Sequence, residues 1–395
     1  MLAALLSQAY IFAQSPNALS IKENMPSTRV EDDGAFQQLR SCVVDSVIYT
    51  VTRSFSANGR YIYWHDLRTN RHDKMELEAP KKSGLSSSTL YSIQKSGEQF
   101  ILVGSDDIFI FEKQSSSKCK LIKSIRNDKN NFHYIAPFGD RFFLYIDYQF
   151  HKLDAEHRHI WAFLNPKTYE IENLTLRPEE NTLFSSLINS WVDVCGEKIA
   201  YASTTEYKVR IFNGNFKVED SISTDELVGN ASFMESLKSH NTDSKDGIME
   251  LRDHEEKILT RIRKVYFLND STIALLLHPP VTNESMRDSV QMHYWQKQNG
   301  TWQKIRTDYS TQWFREGGTY SAQKIPYNDF YQNANDIPYL GEYNFCEVYY
   351  PYISTTTVDQ FNVDRDYFAK QNEAIRSKKP TLGVKIIHVD PFARQ

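Results

Sequence analysis

An all-β fold built by repetition is what this 395-residue sequence predicts, and three observations carry the prediction. The chain holds 23 Tyr, 23 Phe and 6 Trp, residue types that fit the pleated, half-buried surface of a strand. The stretch Leu90–Ile125 contains four short apolar-rich runs, Leu90–Gln94, Gln99–Val103, Ile108–Glu112 and Cys119–Ile125. Gly, Asp and Ser clusters separate them, which is the pattern of a strand meander. Similar units recur, with Val44, Tyr91, Tyr134 and Val192 at comparable points, at blade-length intervals of roughly 40–60 residues. Within the meander Ile108-Phe-Ile-Phe111 is continuously apolar, so that strand packs on both faces. A sheet buried on both faces needs neighbours stacked against it, and radial repetition supplies them. The prediction is therefore a six-bladed β-propeller of four-stranded antiparallel blades.

The chain opens on Met1–Ala13, uncharged and mostly apolar, before polarity rises at Gln14-Ser15-Pro16. It is too short to span a bilayer and reads as a signal peptide over 1–15 that lacks a basic first region, with Ala13 as the cleavage residue. The alternative is an apolar N-terminal strand or helix. Residues 16–395 then form one domain. Asn17–Gln38 is polar and offers one strand around Ser27–Val30. The first unit supplies Cys42–Thr50, Tyr61–His65 and Lys74–Glu78, with Asp66–Asn70 as a hairpin turn, and the second is the meander above.

The third unit runs through Tyr134–Phe138, Arg141–Ile146, His159–Leu164 and Glu170–Leu176. The fourth runs through Trp191–Val194, Lys198–Ser203, Lys208–Phe212 and Lys217–Ser221, where Asn213-Gly214 is a strong hairpin turn. An insertion of about 225–260 follows; a capping box at Ser232–Glu235 and helical spacing through Ile248, Leu251, Ile258 and Leu259 make it partly helical. The fifth unit contains Arg263–Phe267, Ser271–Leu277, Ser289–Gln296 and Trp302–Thr307. A second insertion, about 308–338, precedes a last unit with Tyr339–Val348 and Tyr352–Thr357. Asp364–Lys379 reads as a short helix stopped by Pro380. Leu382–Val389 is strand-like and is expected to close the ring by pairing near the N-terminus, which removes an exposed edge.

In rhythm and turn chemistry, residues 40–390 resemble the six-bladed β-propellers of the Tol-type and NHL-like kind, a family of exported proteins. The resemblance implies a secreted or periplasmic location. It rests on the meander pattern rather than on a motif, since there is no run of WD dipeptides, no kelch double glycine and no YWTD box. Two domains built as a pair of eight-stranded sandwiches are the alternative fold.

Composition narrows the function. A net charge of −4 supplies no basic excess to offset phosphate, so no nucleic-acid partner is expected. No stretch is long enough to cross a membrane, and a monomer is expected. The four cysteines, Cys42, Cys119, Cys195 and Cys346, contain no C-x-x-C pair and read as buried free thiols. If any two were bridged, a closed ring would favour Cys42 with Cys346.

No metal and no cofactor is expected. The run His151–His159, HKLDAEHRH, has ligand types in His157, His159 and Glu156, but reads first as a solvated loop. There is no H-E-x-x-H, no G-x-S-x-G and no phosphate-cradling glycine loop. The most uneven feature is aromatic: nine of the 23 tyrosines lie between Asp308 and Tyr352. Those within 308–338 are harder to place in a blade core, so Trp313, Phe314, Tyr320, Tyr327 and Tyr331 are the candidate binding residues. The leading reading is a non-catalytic binding or scaffold module that takes a protein, peptide or glycan on its insertion-bearing face. The rival is a propeller hydrolase or lyase with a polar site at the central channel.

Overall fold

The protein is described by a computed structural model for residues 19–24, 39–52, 60–127, 132–145, 159–176, 191–203, 208–223, 261–278, 291–308, 339–349, 382–389 and 391–392. The structured elements among them are all strands. In chain order they are β1 (Leu19–Asn24), β2 (Leu39–Val44), β3 (Val47–Thr52), β4 (Tyr61–Asp66), β5 (His72–Glu78), β6 (Leu90–Ser96), β7 (Gln99–Gly104) and β8 (Asp107–Ser115). There follow β9 (Lys118–Arg126), β10 (Tyr134–Phe138), β11 (Arg141–Tyr145), β12 (His159–Leu164), β13 (Ile171–Leu176), β14 (Trp191–Cys195), β15 (Lys198–Ser203) and β16 (Lys208–Asn213). The last are β17 (Val218–Ser223), β18 (Arg261–Asn269), β19 (Thr272–His278), β20 (Gln291–Gln298), β21 (Thr301–Asp308), β22 (Tyr339–Gly341), β23 (Asn344–Tyr349) and β24 (Gly383–Val389).

Three antiparallel meanders, β10–β13, β14–β17 and β18–β21, each form a four-stranded sheet in sequence order. Strands β2–β5 and β6–β9 are two further meanders, joined into one eight-stranded sheet because β5 and β9 pair in parallel over Glu76–Glu78 and Lys118–Lys120. The meander rhythm did not foresee that junction. The remaining sheet takes β22, β23 and β24 from the end of the chain and β1 from its start. The closing strand is thus Leu19–Asn24, paired from Leu19↔Val389 to Asn24↔Val384, so Leu382–Val389 does pair near the N-terminus; the strand expected around Ser27–Val30 lies outside the described residues.

Burial on both faces follows the sequence argument. Ile108, Phe109, Ile110 and Phe111 are all 0% exposed. Alternation along the strand sends Phe109 and Phe111 into a core with Phe100 and Leu102 of their own meander and Ile62 and Met75 of the preceding one. Ile108 and Ile110 enter a different core with Phe143, Phe163 and Trp161 of the following sheet. The arrangement repeats: Ile211 packs with Leu275 and Trp295, and Tyr266 and Tyr294 pack with Phe345. Ile48 of β3 meets Cys346 and Val384 of the chain-terminal sheet, so the cycle of stacked sheets closes on itself. The result is an all-β, propeller-like body. All four cysteines are free, with Cys195 alone partly exposed.

Two runs expected as single strands are each two. Cys42–Thr50 is broken at Asp45 and Ser46, both with left-handed backbone (φ 52° and 65°), which is the tight hairpin turn that fits a twisted strand pair. Tyr339–Val348 is broken at Glu342 and Tyr343, at φ 50° and 60°. Neither pair contains glycine, so neither announces a turn. At the second, the Tyr339 hydroxyl accepts the Tyr343 N–H at 3.1 Å, holding an otherwise disfavoured backbone. The partly helical insertion expected over about 225–260, the second insertion beyond Asp308, the strand Tyr352–Thr357 and the helix Asp364–Lys379 lie outside the described residues.

Candidate functional site

The connections divide unequally between the two ends of the strands. At one end, the first turn of every meander is two residues: Asp45-Ser46, Gly97-Glu98, Gly139-Asp140, Gly196-Glu197, Asp270-Ser271 and Glu342-Tyr343. The turns between third and fourth strands at that end are also short, from Ser116-Ser117 to Asn165–Glu170. These turns interlock. The Cys195 thiol donates to Asp270 Oδ1 at 3.8 Å, Lys198 pairs with Asp270 at 3.8 Å, and Gln99 Nε2 donates to the Tyr169 hydroxyl at 2.8 Å. Glu197 lies so close to Gly139 that a Cβ there would be 3.1 Å from its Oε1. At the opposite end, segments 25–38, 146–158, 177–190, 224–260, 279–290, 309–338 and 350–382 all leave and return. That second end is the loop face.

The first strand of each meander packs against the first strand of the next, from β2 through β6, β10, β14 and β18 to β22. These inner strands carry charged residues that an apolar strand would lack: Arg40 on β2, Asp193 on β14 and Lys264 on β18, joined by Tyr134 on β10. All four lie in the leading half or the middle of their strands, toward the loop face.

Asp193 ties three sheets together. Its Oδ2 accepts the Phe267 N–H of β18 at 2.7 Å, and its Oδ1 accepts the Tyr134 hydroxyl at 3.5 Å. The first bond satisfies an amide on the free inner edge of β18, which has no strand partner on that side. Burial pushes the Asp193 carboxyl above the usual carboxylate range, against the pull of Lys264 and of the Phe267 and Val194 amides. Lys264 places Nζ 5.4 Å from the Tyr134 ring centre and 5.9 Å from that of Tyr266. Burial lowers its ammonium below the ordinary lysine value; Asp193 opposes this and Arg40 adds to it. Burial likewise raises Tyr134 and Tyr266 well above the phenol value. Lys264, Asp193 and Tyr134 are nevertheless only partly buried, so the group is sheltered but open. Beside it, the Tyr91 and His133 rings lie with centres 4.0 Å apart at the start of β6 and β10.

Sequence reasoning missed this group. The signal was a charge set inside each apolar strand, in LRSCVV, WVDVC and RIRKVYFLN. The residues expected to bind, Trp313, Phe314, Tyr320, Tyr327 and Tyr331, lie outside the described residues, as do His151, Glu156 and His157. Among the described residues no cluster of three or more His, Cys, Asp or Glu side chains is placed to hold a metal ion.

Comparison with known proteins places the chain by fold. No family model matches it, and no curated protein matches its sequence. Among solved structures it is similar to a candidate exported protein of Bacteroides fragilis, with a TM-score of 0.50 and 6% identity, covering 94% of this chain and 95% of that one. A member of the DUF4221 family from Bacteroides vulgatus matches at a TM-score of 0.46 and 9% identity, over 75% of this chain and 88% of that one. The WD40 domain of Pan2 from Neurospora crassa matches at 0.41 and 9%, over 74% and 73%. The chain is an all-β protein of β-propeller-like fold.

Proposed function

We propose that this is an exported, six-bladed β-propeller that binds a protein, peptide or glycan partner on its loop face. One observation carries the reading: the interlocked turn face has only short connections, whereas the long ones gather at the other end. Connections that long are usually functional when ordered. Six blades follow if β2–β5 and β6–β9 are counted separately, their parallel junction being a local link between outer strands. The structural likeness to a candidate exported protein agrees with the apolar Met1–Ala13 segment. The chain acts as a monomer, without nucleic acid or cofactor, and Trp313, Phe314, Tyr320, Tyr327 and Tyr331 make the contacts.

Replacing Gln312–Asn335 by a short Gly-Ser linker tests this. Binding on a glycan array, or capture of a partner identified by mass spectrometry, should vanish while the melting temperature stays within about 3 °C. Collapse of the fold would make the aromatic segment structural and sink the claim. The rival hydrolase or lyase reading has one observation in its favour. A lysine of lowered pKa over the ring of Tyr134, whose hydroxyl donates to Asp193, gathers groups of the kind that move protons. Polysaccharide cleavage that K264M abolishes would favour it.

A further inference from the structure

We propose that the seam closing the ring, between the first meander and the chain-terminal sheet, is an acid-sensitive clasp that protonation of His65 and His72 loosens. The inference goes beyond the binding reading above and does not depend on it.

Topology puts both rings on the seam. His65 of β4 stands opposite Ile48 of β3 on one side and opposite His72 of β5 on the other, so the three side chains share one face of the sheet. Ile48 belongs to the core made with Cys346 and Val384 of the chain-terminal sheet, so that face is the one turned to the seam. His65 is 5% exposed, and the centres of the two imidazole rings lie 6.0 Å apart.

The hydrogen bonding leaves no place for a proton. His65 Nε2 donates to Asn70 Oδ1 at 3.0 Å, so the neutral ring carries its lone pair on Nδ1. That atom is buried and no hydrogen-bond partner reaches it; the same holds for Nδ1 of His72. A neutral ring leaves only an idle acceptor there. A protonated one puts a charged N–H where nothing accepts it, and a second proton on the opposite ring adds like-charge repulsion across the strand pair.

The surroundings do little to offset this. Strands β2 and β3 bring no charged side chain to that face. Strand β4 adds Tyr63, and β5 adds Lys74, whose Nζ lies 4.6 Å from the Tyr61 ring centre. The facing sheet brings Cys346 and, on β24, His388, while Lys22 of β1 pairs in register with Ile386. Burial lowers the His65 ring below the ordinary histidine value; the Asn70 bond and Asp66 oppose this, and His72 adds to it. Asp66 Oδ1 is already taken by the Arg68 and Thr69 amides at 2.8 and 3.3 Å. With the folded value below the unfolded one, the stability held by the neutral ring is complete above pH about 6.5 and is lost as pH falls from there toward the folded value. The seam is also the junction least able to absorb the loss. Among the described residues its core has Ile48, Cys346 and Val384 as buried members, a smaller set than in any other described core.

The test is hydrogen exchange of the full chain, read peptide by peptide by mass spectrometry at about pH 7.5 and about pH 5, with labelling times scaled for the intrinsic rates. On acidification the protection of β1, β3, β4, β23 and β24 should fall at least about tenfold more than that of β14–β17. In the double variant H65Q/H72Q, whose amides take up no proton, that difference should shrink to within about threefold. H293Q, which removes a buried histidine from another sheet, should respond as the wild type does. Equal protection of the seam strands at both pH values overturns the proposal. So does an acid response spread evenly over all the sheets, or one that the double variant retains in full. Should the double variant fail to fold, H72Q alone and the wild-type pattern decide.

Discussion

The strand Ile108–Phe111 makes a prediction that discriminates sharply between stacked and one-sided sheets. Phe109 and Ile110 are neighbours, both 0% exposed, and they enter different cores. In a sheet with one wet face, replacing one of the two by alanine would cost almost nothing. Here both should be costly: F109A about 3–5 kcal/mol and I110A about 2–5 kcal/mol, from lost transfer energy and the cavity left behind. There is little room for the core around Phe109 to collapse, because its ring already lies against Gly104, where an added Cβ would sit 3.0 Å from Cε2. With an unfolding entropy of about 2.1 cal/mol/K per residue, the 395-residue chain loses roughly 5 °C of melting temperature for about 4 kcal/mol. Thermal unfolding followed by far-ultraviolet circular dichroism measures this. K123A, at the exposed position opposite Ile110 on β9, is the control and should shift the midpoint by no more than about 1 °C. If either F109A or I110A behaves like that control, the strand has a wet face and the stacked arrangement is wrong.

Asn127 is fully buried; its Nδ2 donates to the carbonyls of Gly104 (2.8 Å) and Phe132 (3.0 Å), and its Oδ1 accepts the Phe132 N–H (2.9 Å). N127A strands these backbone groups and should cost about 2–4 kcal/mol in urea unfolding, so a loss near zero would show that other groups satisfy them. Asp220 accepts from Lys297 at 2.6 Å and from the Trp302 indole at 2.8 Å. Burial alone would raise its carboxyl, but these bonds outweigh it and hold the group below the usual carboxylate range. Its folded value is below its unfolded one, so its contribution is present above pH about 4 and is lost as pH falls through the folded value. The melting temperature of D220N should therefore fall less steeply than that of the wild type below pH 4; parallel acid limbs would refute the assignment.

Much of the strand layout was legible, and for local reasons. Tyr134–Phe138, His159–Leu164 and Lys198–Ser203 fall where expected because glycine, asparagine or proline turns bound apolar runs. The breaks at Asp45-Ser46 and Glu342-Tyr343 were hidden because left-handed backbone is held there by context, visibly so in the Tyr339 hydroxyl bond to Tyr343. The parallel contact of β5 with β9 was illegible for another reason. It joins the outer strands of two meanders, and nothing in either run encodes a partner beyond its own hairpin. The group around Lys264 was hidden by distance along the chain. Arg40, Tyr134, Asp193 and Lys264 belong to four different meanders, and only the closed cycle of sheets brings them to one place.

That cycle also explains why the two faces can follow different rules. On the turn face the spacing between sheets is set by contacts between neighbouring turns, such as Glu197 against Gly139 and Cys195 and Lys198 with Asp270. Lengthening one of those turns would displace its neighbour, and through it the inner strands. On the loop face the strand ends are held by the cores beneath them, so a segment as long as 309–338 can be inserted between β21 and β22 without changing where Lys264 and Asp193 sit. The inner-strand group therefore belongs to the scaffold, and the length of the connections can vary without displacing it.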